Sequence, residues 1–388
     1  MPTLIRASSE AELEKLIQIY LKAETDIINE IGRLRSQGLV DYHAVAALER
    51  VQAILRNMES EAWEYVPKMI EREFYVNHPE ARRFYESVKK HAAGYENAAV
   101  LTVAEQDIVE RLVTSLMGEI TDAEMTVMAT LQDALIGRAE PDIYRRIGLE
   151  QVAAQAATGR GVNKAVPAFV EALRREGITA FVDKAGRRWS LHRYCTMVSR
   201  TTRRQAQVLS VLERNPGQDL YKITSHGTTC ALCAPYEGRV YSKSGTDPDF
   251  PALADAFGKI DPAGPDVLAN TWLNIHPNCL HALVPWTAAG RTNEEIEEIK
   301  KFSNPKTNPY SRDPRTEKQI EAYRKKEAAR AAWLRNYRQW ERYRMTLGDK
   351  VPKTYQTFEK HKKANDDKYK TWLREYRRAN RETNGDDA

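Results

Sequence analysis

The sequence predicts a mainly α-helical, multidomain chain with one small α+β module that carries a Cys/His cluster. Apolar residues recur at helical spacing through the first 135 residues, short alternating strands and loops follow, and two further helical stretches end the chain. Its 388 residues can form two or three domains with their own cores. No apolar run approaches the roughly 18 residues that a membrane span needs.

The N-terminal region, 1–138, is predicted to be a helical docking region. Ser9 with Glu12, and Thr102 with Glu105, match the capping-box pattern and predict two helix starts. The apolar faces that follow indicate ordinary core packing. Long amphipathic helices also dock on partner helices, so both interpretations stay open here.

A helical connector is predicted over 139–177 and an α+β module over 178–290. The stretch ITAFVDKAGRRWSL alternates around an Asp-Lys-Ala-Gly turn, which predicts a β-hairpin. A helix carrying MVSRTT should follow and end at Asn215-Pro216-Gly217. Beyond it, DLYKITS and RVYS read as short strands between loops rich in Pro, Gly and Asp.

The last segment, 291–388, is predicted to be a linker and a basic, aromatic, helical tail. The polar stretch SNPKTNPYSRDPRT precedes helical patterns over about 314–347 and 353–380, broken near Gly348 and Pro352. Residues 301–388 hold 24 Lys and Arg against 13 Asp and Glu, a net of +11, whereas the rest of the chain is net −6. This asymmetry predicts a polyanionic or acidic partner for the tail.

Arginines alternate with aromatic residues in the tail, in RNYRQWERYR and KYKTWLREYRR. This pattern suits phosphate contacts combined with base stacking. It also suits a salt-bridged helix whose Trp/Tyr face packs on protein, and the helical spacing of the aromatic residues favours this second interpretation. The candidate contacts to DNA or to a partner are Arg335, Arg338, Trp340, Arg344, Trp372 and Arg377.

Three of the four cysteines and three of the eight histidines lie in two short stretches, SHGTTCALCAPYEGRVYS and IHPNCLHALVPW. The first contains C-x2-C and the second H-x2-C-x-H, and tetrahedral zinc takes four such ligands. We therefore predict a zinc staple, meaning one ion that ties the two stretches together. Buried free thiols beside polar histidines are the alternative. The candidate ligands are Cys230, Cys233, His276, Cys279 and His281, with His226 as an alternative ligand or a residue that supports one.

Catalytic signatures are weak in this sequence. Thr229, not Pro, precedes Cys230 and no H-x-E lies upstream at a useful distance, so the zinc-deaminase pair is absent, as is the H-E-x-x-H of zinc proteases. A Cys230/His276 nucleophile pair is conceivable, but the sequence does not reveal its geometry. We predict no catalytic residues and no turnover, with a nuclease-like or protease-like enzyme that uses the Cys/His cluster as the alternative.

The order of motifs across 178–290 resembles the phage minor capsid protein 2 family and, distantly, the minor head proteins of the phage Mu morphogenesis type. Two departures stand out: Tyr236-Glu237 occupies a place where relatives often carry an aromatic residue and Gln, and Leu280 one where many carry Arg. The matching positions are Arg200, Thr201, Thr202, Ser225, His226, Cys230, Pro235, Gly238, Tyr241, Asn278, Cys279, His281 and Pro285.

The resemblance implies a virion component, present in few copies, that is made alongside the portal protein and incorporated during head assembly in the bacterial cytoplasm. Cysteine usage is consistent with a reducing compartment, and the N-terminal stretch MPTLIRASSEAELEKL shows no secretory signal. Expected partners are the portal and major capsid proteins, with packaged double-stranded DNA near the tail and no membrane. Any oligomer should form only within the particle. The combined hypothesis is a minor structural protein of a phage head, with a zinc staple and a basic tail near DNA.

Overall fold

A computed structural model describes residues 3–36, 40–76, 101–136, 180–182, 188–279 and 281–384. Within these residues the chain is mainly helical with a small sheet, which confirms the predicted fold class. The connector, 139–177, and Leu280 lie outside the described residues. The helices are α1 (Thr3–Ser36), α2 (Val40–Val76), α3 (Val103–Ile136), α4 (Leu191–Glu213), α5 (Asn293–Ser303), α6 (Glu317–Leu347), α7 (Tyr355–Ala364) and α8 (Asp367–Asn384).

The chain divides into two compact units that do not follow the predicted segments. The domain boundaries given by the sequence therefore stay predictions. Unit 1 comprises Met1–Tyr20, Met58–Asp122 and His192–Arg324, and unit 2 comprises Leu21–Asn57, Ala123–Leu191 and Lys325–Ala388.

One of the two predicted helix starts is confirmed and the other is wrong. Thr102 begins α3 with a capping box, since its backbone N–H donates to the Glu105 carboxylate at 2.8 Å and its Oγ1 accepts from Glu105 N at 3.2 Å. In contrast, α1 begins at Thr3 and runs straight through Ser9. The preceding residues include good helix formers such as Leu4 and Ala7, so the helix extends past the pattern that resembles a cap.

In unit 1, helix α4 is the predicted helix after the hairpin, and buried polar contacts fix it. Arg203 pairs with Glu73 of α2 at 2.8 Å, with both side chains only 7% exposed. The Tyr20 hydroxyl of α1 lies 3.1 Å from Ser199 Oγ. Removing one partner of a buried ion pair costs about 3–5 kcal/mol, so these contacts strongly constrain the position of α4.

The sheet of unit 1 has three antiparallel strands, with β3 (Leu220–Ile223) between β4 (Val240–Ser242) and β5 (Leu283–Pro285). Its apolar face packs on α4, where Val208 and Val211 meet Tyr221 of β3 in one core cluster. Both outer strands run opposite to β3, so the segments leading into them lie beside the end of β3. Two loops far apart in sequence therefore meet at one edge of the sheet.

Unit 2 contains the predicted hairpin, formed by β1 (Ala180–Val182) and β2 (Arg188–Ser190), and the helical tail. The tail helices enclose an aromatic core around fully buried Phe358. The predicted break near Gly348 is confirmed, but a continuous helix over 353–380 is wrong. Asn365 adopts a left-handed conformation (φ 47°) and ends α7, a role that Asn fills more readily than most residues.

Helix α5 was not predicted. Thr292 caps it with a full capping box, in which the Thr292 side chain and Glu295 exchange hydrogen bonds with each other's backbone N–H groups. Among the described helices, none is long and apolar enough to cross a membrane.

Candidate metal centre

The two Cys/His stretches meet at the edge of the sheet. The first loop, 224–239, connects β3 to β4, and the second loop, 275–279 with 281–282, leads into β5. The donors form three groups of three residues, and within each group the ligand atoms lie within 4.8 Å of one another; neighbouring groups share a member. The groups are Cys230/Cys233/His276, Cys233/Cys279/His281 and His226/Glu237/His281.

Within each of the first two groups, the measured separations of donor atoms are close to those between ligands of a tetrahedral zinc site, and these two groups share Cys233. Zinc–sulfur bonds of about 2.3 Å and zinc–nitrogen bonds of about 2.0 Å place two sulfurs about 3.8 Å apart, and sulfur and nitrogen about 3.5 Å apart. The Cys233 and Cys279 sulfurs are 3.8 Å apart, and Cys279 Sγ lies 3.4 Å from His281 Nδ1. Cys230 Sγ lies 3.1 Å from His276 Nε2. The cluster is thus close enough to hold a metal ion.

Backbone geometry shapes the first loop. The carbonyl of Cys230 accepts from Ala234 N at 3.1 Å, and that of Cys233 accepts from Tyr236 N at 2.9 Å, so the chain turns tightly around the thiols. Pro235 is buried in the short 3-10 turn that follows. Gly238 then takes a φ of +73° and donates to Ile223 O at 2.9 Å, which returns the chain to the sheet.

Helix α4 and the second loop are joined by the Arg-Thr-Thr part of the motif. Arg200 Nη1 lies 3.5 Å from Asn278 Oδ1, and Thr201 Oγ1 lies 3.5 Å from Asn278 N. Asn278 has a φ of 65°, so these contacts hold it in the left-handed region just before Cys279. Gln207 farther along α4 bonds Leu283 N and O at 3.3 and 3.2 Å. The motif residues therefore position the loop.

The remaining matched positions are structural parts of the same module. Thr202 is buried on α4, and Tyr241 is buried on β4, where its hydroxyl contacts Tyr236 O at 3.4 Å. Ser225 is exposed beside Gly238. Pro285 is an exposed residue of β5 and pairs with Tyr221.

The thiols differ in their protonation. Hydrogen bonds from Cys233 and His276 outweigh burial and lower the pKa of Cys230 to about 3. A bond from Cys233 likewise lowers the pKa of Cys279 to about 3. The pKa of Cys233 is raised, because its thiol is hydrogen-bonded to Cys230 and Cys279. A negative charge on Cys233 would also be repelled by negative charges on these two neighbours. A cation bound to these sulfurs would displace the remaining thiol protons.

Glu237 lies in the site, although the sequence did not place it among the candidate metal ligands. Its Oε1 lies 2.6 Å from His281 Nε2 and accepts from His226 N at 3.0 Å. Burial favours neutral His281, but the contacts with Cys279 and Glu237 prevail and raise the pKa of His281 to about 9. The His226 ring stacks on His281 with centroids 4.2 Å apart. No spacing rule pointed to this glutamate.

Two arginines tie the linker after α5 to the first loop. Arg239 is 1% exposed, donates to Pro235 O at 2.6 Å and lies over the Tyr310 ring at 4.6 Å. Arg315 pairs with Asp313 at 2.8 Å and donates to Thr229 O at 3.2 Å, next to the first thiol. The predicted linker is thus fixed on the module at these points.

The tail candidates fall into two groups. Trp372 is 7% exposed and stacks on Phe358, and Trp340 donates to Pro352 O at 2.9 Å, so both aromatics are engaged within unit 2. Arg344 donates to Val351 O at 2.9 Å, and Arg338 is half-buried. Arg335 and Arg377 are exposed.

Comparisons with known proteins give the family. A family model described as phage minor capsid protein 2 matches residues 8–350. The chain is also 28% identical over 124 residues to a protein of Lactococcus phage LL-H named "Structural protein", a match that covers 30% of this chain and 31% of that relative. No solved structure matches the chain. Because the family model covers most of the sequence, the chain belongs to the phage minor capsid protein 2 family.

Proposed function

We propose that this chain is a minor structural protein of the phage head that docks on the portal and major capsid proteins during head assembly. Its family and its structural-protein relative support a structural role. In this proposal the protein assembles in the host cytoplasm and remains in the virion. A cryo-EM map of purified virions should show this chain next to the portal. Purified virions that lack the chain would contradict the proposal.

The Cys/His module is proposed to be held by a zinc staple. The observation that carries this proposal is the convergence of three thiols and two histidines from loops 46 residues apart. Sulfur and nitrogen donors suit zinc better than magnesium or calcium, which prefer oxygen. Three thiol ligands and one histidine would close the coordination sphere, as in structural rather than catalytic zinc sites.

A thiol enzyme is the second candidate, and one observation favours it. Cys230 and His276 lie 3.1 Å apart, the distance of a nucleophile and its base, and Cys230 is only half-buried. The two candidates differ in metal content. One zinc per chain with no open position supports the staple, whereas metal-free protein whose peptide or nucleic-acid hydrolysis is lost in Cys230→Ala supports the enzyme.

The tail is proposed to lie near packaged DNA and to act through charge. The basic surplus after residue 301 supports this, and Arg335 and Arg377 expose cations to solvent. Its tryptophans are engaged within unit 2, which favours phosphate contacts over base stacking. We expect the full chain to bind duplex DNA with an affinity that falls steeply with salt. Double replacement of Arg335 and Arg377 by Gln should reduce the slope of log affinity against log salt concentration by about two, because two phosphate contacts are lost. An unchanged slope would contradict the proposal.

A further inference from the structure

Glu237 links the candidate metal ligands to the loop that carries them. Its carboxylate is 10% exposed and lies 2.6 Å from Nε2 of His281, which is 4% exposed. The same oxygen accepts the backbone N–H of His226 at 3.0 Å, so the carboxylate is itself fixed by the first loop. A buried histidine from the second loop thus meets a buried carboxylate from the first.

The two nitrogens of His281 face different partners. Nε2 faces Glu237, whereas Nδ1 lies 3.4 Å from the Cys279 sulfur. A carboxylate that holds the Nε2 proton makes Nδ1 the nitrogen from which a metal ion can displace a proton and to which it can bind. The stacked His226 ring, tilted by 20° at 4.2 Å, further limits rotation of the His281 ring.

His276, the competing ligand, is less firmly oriented. Its Nε2 faces Cys230, but its Nδ1 meets only the carbonyl of its neighbour Pro277, at 2.5 Å. The His276 ring is half-buried, whereas His281 is buried. Zinc takes four ligands, and the three thiols and two histidines offer five donors. Orientation and burial therefore favour His281 over His276 as the histidine ligand.

We propose that His281 binds the metal through Nδ1 and that Glu237 is the positioning residue that fixes its tautomer and ring orientation. This inference rests on the proposed zinc site and specifies its fourth ligand.

The test uses the full chain with zinc as the probe. Zinc affinity is measured by competition with a chromophoric chelator for wild type, Glu237→Leu and Glu237→Gln, with Glu298→Leu on the exposed face of α5 as the matched control. We expect Glu237→Leu to lose about 10- to 100-fold in affinity. Glu237→Gln retains the acceptor oxygen and should stay within a few-fold of wild type. Glu298→Leu should not change the affinity.

A tautomer readout separates positioning from general stability. In the zinc-loaded chain with ¹⁵N-labelled histidine, long-range ¹H–¹⁵N correlations should show one histidine metal-bound at Nδ1 and protonated at Nε2. This signal should vanish in His281→Ala and persist in His276→Ala. A signal that survives in His281→Ala, or a Glu237→Leu chain that binds zinc as tightly as wild type, overturns the inference alone. Wild type that binds no zinc overturns the metal site itself.

Discussion

Replacing Cys279 with Ser should remove the proposed zinc staple and leave the rest of the core intact. The Cys233 and Cys279 sulfurs lie 3.8 Å apart and belong to residues 46 positions apart in the chain. A cross-link that closes a loop of this length removes about 4 kcal/mol of conformational entropy from the unfolded chain. Serine is not a zinc ligand of comparable strength, so the variant should lose most of this stabilisation.

Calorimetry of the full chain, with and without a zinc chelator, measures this effect. About 4 kcal/mol corresponds to a shift of roughly 10 °C in the unfolding temperature of a unit of this size. We expect the chelator to lower the transition of the zinc-loaded wild type by that amount and to leave Cys279→Ser almost unchanged.

Cys195 provides the matched control, because it is a fully buried thiol of α4 that belongs to none of the candidate donor groups. Cys195→Ala should lose some stability through its lost core contacts but keep the full response to chelator. A Cys279→Ser chain that responds to chelator as strongly as wild type would refute the reasoning, as would a zinc-loaded wild type that does not respond.

Three further variants test the packing that surrounds the centre and the tail. Phe358→Ala should cost about 3–5 kcal/mol in denaturant unfolding, because Phe358 is fully buried against Trp372 in the tail core; a cost below about 1 kcal/mol would contradict that core. Gly238→Ala should cost about 1–2 kcal/mol, since Gly238 has a φ of +73° and an added Cβ would lie 3.1 Å from a neighbouring hydroxyl; unchanged stability would contradict the turn. Burial raises the pKa of Asp219, but hydrogen bonds, including the one from Ser242, together lower it by more. The net result is a lowered pKa. The Asp219 carboxylate therefore stabilises the fold above its ordinary pKa, and this contribution is lost as pH falls through the lowered value. Wild type should lose more stability than Asp219→Asn on acidification from about pH 6 to pH 3, and equal losses would contradict the assignment.

The sequence could indicate which Cys and His residues are candidate donors, because cysteines are rare in this chain and C-x2-C is a spacing typical of zinc sites. Their convergence depends on β3 pairing antiparallel with both outer strands, a long-range arrangement that no local pattern encodes. Glu237 was missed for a related reason. It is one of many acidic residues, and only the fold brings it to His281.

The helices were predicted well in their interiors and less well at their ends. Thr102 is a true cap, whereas Ser9 carries the same pattern inside a continuous helix, because neighbouring residues that favour helix decide whether a cap is used. Asn365 ends α7 in a left-handed conformation. Asn tolerates this conformation, but an Asn in the sequence does not by itself predict a helix end. The aromatic spacing of the tail predicted a packed face, and the structure shows that this face packs within the chain.

Zinc K-edge absorption spectroscopy on the purified full-length chain, combined with its metal content, tests the metal centre most directly. We predict one zinc per chain, surrounded by three sulfurs at about 2.3 Å and one nitrogen at about 2.0 Å, with no water in the shell. A chain that carries no zinc, or an ion bound by fewer than three sulfurs together with a water oxygen, would contradict the account.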